Sequence, residues 1–303
     1  MLRRTATARR MTSVTSALLV AILTAGSTSA CEARVYAEPA SAGQDLAAPQ
    51  APLPNLSLLP PTAALEGLPS RAQDAVAQAA DQGAQVTVLV LDRTTGQQVA
   101  AGSPRALATA SVAKLFIADD LLQRDPALDG DDLAKLRQML RSSDDNAAEE
   151  FWNRNGGDQI IGRVAARYGL GSTFGPPNGR WWNTLTTAGD LVRYYDMLLR
   201  GAGGLSRERG DIIIGALARS TPNGLDGYPQ RFGVPDGLYG EQVAVKQGWM
   251  CCIGADWMHL STGVVGADRR YVVVVYSLQA GDDFAARETV TDVVKTMFPG
   301  GKI

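Results

Sequence analysis

Ala110-Ser111-Val112-Ala113-Lys114-Leu115-Phe116 places a serine three residues ahead of a lysine, at the start of an apolar run that reads as a helix. Residues three apart on a helix are neighbours, with Cβ atoms about 5–6 Å apart, so the Ser111 hydroxyl and the Lys114 ammonium would share one face. A serine hydroxyl is a weak nucleophile until a neighbouring base takes its proton, and a lysine can do so if burial or nearby positive charge lowers its pKa. An arginine stays protonated and could not. The chain holds 29 Lys and Arg residues, only five of them lysines, and one of the five stands here. Taken alone, the tetrapeptide more commonly means a helix start with a capping serine and a surface lysine.

Outward from this stretch, 303 residues with 45% hydrophobic content are ample for a core, in one large domain or two coupled ones. A net charge of -2 with no clustered basic face argues against nucleic-acid binding. The single histidine, His259, excludes a multi-histidine metal site. It lies in an apolar, strand-like run and reads as a partly buried structural residue. Asp144, Asp145, Glu149 and Glu150 could suggest a metal, but a solvated helix start with acids near its positive end explains them better, and no metal or other cofactor is expected. Cys31, Cys251 and Cys252 form neither a disulfide scaffold nor a zinc pattern. Consecutive strand residues point to opposite faces, so Cys251 and Cys252 read as two small buried thiols rather than a bridge. A monomer is expected.

Residues 1–30 have the form of a signal peptide: four arginines in the first ten residues, a short apolar segment, then small residues. The apolar segment is too short for a permanent membrane span. Either cleavage follows Ala30, giving a secreted protein, or Cys31 is the lipidated first residue of a lipoprotein. Lipidation at Cys31, and a cell-membrane anchor facing the envelope, is the favoured expectation. Residues 31–69 hold seven prolines and read as an extended linker.

The remainder, 70–303, reads as a helix from Ser70, two strands at 85–92 and 97–101 joined by a turn, and the helix that opens near Ser111. Helical patterns follow through about 217. Strands return at 242–253, 258–265 and 270–277, and a helix closes the chain at 282–297. The fold class expected is α+β: a five-stranded antiparallel sheet covered by terminal helices, with an all-helical lobe inserted at about 115–225. A cleft between sheet and lobe would be the natural site.

This layout resembles the penicillin-recognising serine enzymes, the class A β-lactamases and D,D-peptidases. That family sets Ser-x-x-Lys at the start of a buried helix, Ser-x-Asn in the helical lobe, and Lys-Thr-Gly or Lys-Ser-Gly on the strand lining the cleft. Ser111 and Lys114 match the first motif. Ser142-Ser143-Asp144-Asp145-Asn146 lies in the second place and Val245-Lys246-Gln247-Gly248-Trp249 in the third. The runs 109–120 and 243–254 and the Cys31-Glu32-Ala33-Arg34 start also resemble a mycobacterial envelope lipoprotein with this kind of domain. The resemblance implies Ser111 as nucleophile and Lys114 as its base. It implies Asn146 to orient a substrate amide, Lys246 to steer a substrate carboxylate, and a backbone N–H of Ser111 in the oxyanion site. Asp144, Gln247, Gly248 and Trp249 would line the ligand, a peptidoglycan peptide or a β-lactam-like molecule. Trp181, Trp182 and Trp249 suit either a substrate groove or core packing.

Three departures weaken the chemistry. The relay serine of Ser-x-Asn maps onto Asp144, unless the loop lets Ser143 serve; ionised Asp144 cannot donate a proton and could pair with Lys114. Gln247 replaces a hydroxyl residue. Residues 171–186, the equivalent of the loop that carries the deacylating glutamate, contain no acid. The expected function is therefore an envelope lipoprotein with a class A β-lactamase-like serine hydrolase domain, acylated through Ser111 if active and poor at β-lactam hydrolysis. The alternative is a non-catalytic module on the same fold that binds cell wall or a protein.

Overall fold

The computed structural model describes residues 65–128 and 130–303. The expected signal peptide, the lipidation site at Cys31 and most of the expected linker lie outside the described residues. Helix α1 (Leu68–Asp81) starts two residues before Ser70, with Pro69 in its first turn. Proline is favoured there because its missing N–H would have no helical partner. Leu65 and Leu68 are buried, so the packed part takes in residues expected in the linker.

Five strands form one antiparallel sheet in the order β2-β1-β7-β6-β5: β1 (Ala84–Asp92), β2 (Gln98–Gly102), β5 (Val243–Ile253), β6 (Asp256–Val265) and β7 (Tyr271–Ala280). Side chains alternate between the faces of each strand. Val86, Val88 and Val90 of β1, with Val273 and Val275 of β7, face α1 and the last helix, α9 (Asp283–Met297). Leu89, Leu91, Val272 and Val274 face the helical lobe. Both faces are covered, which is why β7 reads Tyr-Val-Val-Val-Val with no polar alternation.

The lobe is built around α2 (Lys114–Arg124), which is buried from Lys114 through Leu122. Its two carboxylates, Asp119 and Asp120, are buried and paired with Arg167 and Arg163 of α5 (Gln159–Tyr168). Around α2 stand α3 (Gly130–Arg141), α4 (Asp145–Arg154), α6 (Ala188–Arg200) and α7 (Arg207–Leu217). Thr187 caps α6 by accepting from the Asp190 N–H, as the Thr-x-x-Asp spacing suggests. A short ribbon, β3 (Leu107–Ala108) with β4 (Leu185–Thr186), and a one-turn helix, α8 (Val234–Gly237), were not expected. Both are too short to show a hydrophobic period.

The reading of Cys251 and Cys252 as buried thiols is corrected. They form a disulfide across a cis peptide bond, and Cys251 is exposed. The β5–β6 register shifts between Met250 and Ile253, so strict strand alternation does not apply to the two cysteines.

Candidate active site

The site forms where the start of α2, the loop before α4 and the edge strand β5 converge. A 3-10 turn, Ala110–Ala113, runs directly into α2. Ala110 enters it at φ 44°. A left-handed alanine costs about 1–2 kcal/mol, and such strain persists where surrounding packing imposes it. Gly248 of β5 shows how close that packing is: a Cβ there would stand 2.5 Å from the carbonyl oxygen of Thr109. Glycine thus lets the strand lie against the serine turn.

Ser111 is 8% exposed and Lys114 fully buried, which sets aside the surface-lysine reading. Lys114 Nζ donates to Ser111 Oγ at 2.8 Å. It also lies 2.9 Å from Ser143 O, 3.0 Å from Ser143 Oγ and 2.5 Å from Asp145 Oδ1. Four oxygens thus surround the three N–H bonds of one ammonium. The Trp181 ring covers the same nitrogen, its centroid 4.7 Å away. Trp181 Nε1 in turn donates to Glu149 Oε2 at 3.1 Å.

From the other side, Lys246 Nζ donates to Ser143 Oγ at 3.0 Å and to the Gln247 carbonyl at 2.8 Å. Burial first, and then the Lys114 ammonium, push the Lys246 amine well below the usual lysine range; Asp145 and Asp226 oppose this. The Ser143 hydroxyl therefore bridges two lysines of different character. One is ion-paired to a carboxylate, and the other sits where charge is disfavoured. A neutral Lys246 can accept the Ser143 proton while Ser143 accepts from Lys114. The four side chains then make one continuous hydrogen-bonded path, Ser111–Lys114–Ser143–Lys246.

The structure brings together Ser111, Lys114, Lys246 and Gly248 of the expected site and rearranges the rest. Asp144 does not reach Lys114. It is the N-cap of α4, and its Oδ1 accepts from the Asn146 and Ala147 N–H groups. The cap sets the loop one residue out of the expected register. Ser143, at φ 54°, stands between the two lysines and Asp145 against Lys114, while Asn146 is exposed on the first helical turn. The signal was available in the sequence: an aspartate immediately before a helical run is a strong cap candidate. Gln247 is held away from the ligand lining expected of it. Its Nε2 donates to the carbonyls of Gln230 and Phe232, and Phe232 belongs to the core on the α9 side of the sheet. Trp249 is on that side too, stacked on Tyr228 at 4.7 Å, with its centroid 5.9 Å from Lys246 Nζ. Trp181, over the lysine, and Glu149, bonded to Trp181, were missed because α4 and residues 171–186 meet only in the folded chain.

No family model matches the chain. It is 53% identical to "Putative lipoprotein LppW" of Mycobacterium tuberculosis over 316 residues, 98% of this chain and 99% of that protein, and equally to the LppW of Mycobacterium bovis. Among solved structures it is similar to a mutant of PBP-A in an acyl-enzyme complex with penicillin-G. That match has a TM-score of 0.63, 19% identity, and covers 79% of this chain and 98% of that one. The TLA-3 extended-spectrum β-lactamase gives a TM-score of 0.64 at 13% identity over 77% of this chain and 98% of its own. These likenesses establish a β-lactamase and penicillin-binding-protein fold, and the full-length identity to the mycobacterial proteins establishes kinship: the chain belongs to the LppW family.

Proposed function

We propose that the protein is an envelope lipoprotein, anchored through Cys31, whose domain accepts acyl groups on Ser111 and turns β-lactams over poorly. The observation that carries the reading is the path Ser111–Lys114–Ser143–Lys246, which connects a nucleophile to a buried lysine whose charge is disfavoured. Attack by Oγ would send its proton along this path, and Ser143 would return a proton to the leaving group. Residues 171–186 supply no carboxylate for the water that must release the acyl group. Rapid nitrocefin hydrolysis would contradict the reading.

Intact-mass analysis after exposure to penicillin G and to a neutral activated acyl ester tests it. The expected result is one adduct of the acyl mass, absent in Ser111→Ala. A second reading, a non-catalytic module that binds cell-wall peptide or a protein, is favoured by the Lys114–Asp145 ion pair. Moving a proton onto Lys114's partners would have to break that pair. It predicts no adduct with any β-lactam or ester, together with saturable binding to an envelope component.

A further inference from the structure

We propose that the acyl compound taken by Ser111 carries an ammonium group near its scissile carbonyl, and that Asp145 selects it; this rests on the reading of Ser111 as an acyl acceptor. The cations and anions of the site lie at different depths. Both lysines are buried, at 0% and 1% exposure. The Asp145 side chain is 36% exposed, and Glu149 and Asp226 are exposed. Asp226 is close enough to Lys246 to oppose the loss of its charge, and Glu149 is bonded to the tryptophan that covers Lys114. A ligand therefore meets carboxylates before it meets a lysine.

The hydrogen-bonding inventory agrees. A carboxylate at position 145 accepts only, so it cannot donate to a ligand carbonyl as a side-chain amide could, but it can receive an N–H. A ligand carboxylate finds no compensating donor on Gln247, whose Nε2 is committed to Gln230 and Phe232. Lys246 offers little as well, because its charge is disfavoured by burial and by Lys114. Charge complementarity of this kind steers encounter and rejects the wrong sign.

In the step itself Ser111 Oγ forms a bond to the acyl carbon. The bond from that carbon to the leaving oxygen breaks, and the serine proton ends on the leaving alcohol. The test uses the 4-nitrophenyl esters of alanine, N-acetylalanine and N-succinylalanine, with the whole protein, at mildly acidic pH where the amine is charged. Each acylation rate is divided by the spontaneous hydrolysis rate of the same ester, and the adduct on Ser111 is confirmed by mass.

The alanine ester is expected to acylate about tenfold faster than the N-acetyl ester, equivalent to about 1.4 kcal/mol, and the N-succinyl ester slowest. Asp145→Asn should remove most of that preference and Glu149→Gln part of it. Added salt should weaken it in the unmodified protein, a readout that needs no variant. A Ser111 adduct with equal normalised rates, or with the succinyl ester fastest, overturns this inference and leaves the acyl-acceptor reading standing. Absence of any Ser111 adduct overturns both.

Discussion

Asp145, one residue away from where the motif comparison set an asparagine, decides the character of Lys114. Its carboxylate stands 2.5 Å from a fully buried ammonium. Replacing it with the isosteric amide keeps a hydrogen-bond acceptor for Lys114 and removes the charge that binds it. Asp145→Asn should raise the rate of Ser111 acylation by penicillin G at least about tenfold, on the scale of one ion pair partly screened by solvent. Stopped-time mass spectra of the two proteins would show it, and an equal or lower rate in the variant would mean that the pair is not what limits acylation. His259 gives a second residue-scale outcome. It is fully buried, its Nε2 lies 2.6 Å from the Tyr228 hydroxyl, and burial, then Arg287, lower its pKa from 6.5 to about 3. Between those values the unfolded chain binds the proton and the folded one does not. The stability contribution is thus fully present above pH 6.5 and lost as the pH falls toward 3, on the order of 4–5 kcal/mol at most. As the chain has one histidine, His259→Phe should flatten the urea-unfolding stability profile across that window. A slope unchanged from the parent protein would assign the acid sensitivity to carboxylates.

At the scale of elements, the long periodic segments were legible in the sequence. The expected strands and helices recur with shifts of a few residues, and the five-stranded antiparallel order follows from two hairpin-like groups joined along β1 and β7. What escaped were one pairing set by contacts distant in sequence and two local departures from the regular pattern. The β3–β4 ribbon pairs Leu107 with Thr186, a partner no local pattern names. The Cys251–Cys252 bridge sits where alternation fails. The loop before α4 differs by one position from the motif comparison because the capping rule at Asp144 outweighs the family spacing. The contact that brings β5 to the serine turn is testable at Gly248. Alanine there must displace the Thr109 carbonyl or the strand, at a cost of about 1–3 kcal/mol. Gly248→Ala is expected to lower the unfolding midpoint and to slow Ser111 acylation more than Gly162→Ala, where a Cβ meets nothing within 4 Å and the backbone is not left-handed. Equal loss of acylation in both variants would remove the argument that the close approach shapes the site.

Taken as a whole molecule, the described residues close on themselves. The sheet is covered on one face by α1 and α9 and on the other by the lobe, and no described helix is long and apolar enough to cross a membrane. The lipid anchor proposed at Cys31, which follows the small residues Ser29 and Ala30, is tested by labelling. From Cys31 to Leu65 a fully extended chain spans no more than roughly 120 Å. Labelled palmitate should enter the parent protein and not Cys31→Ser, and the parent should partition into the detergent phase after cloud-point separation. Ser111 acylation should agree within about twofold between the two, a factor worth only about 0.4 kcal/mol, because the bonds described around Ser111 and Lys114 run to Ser143, Asp145 and Lys246 of the domain. Palmitate incorporation that survives the substitution would place the lipid elsewhere. Loss of acylation with the anchor would mean that the leader segment takes part in shaping the site.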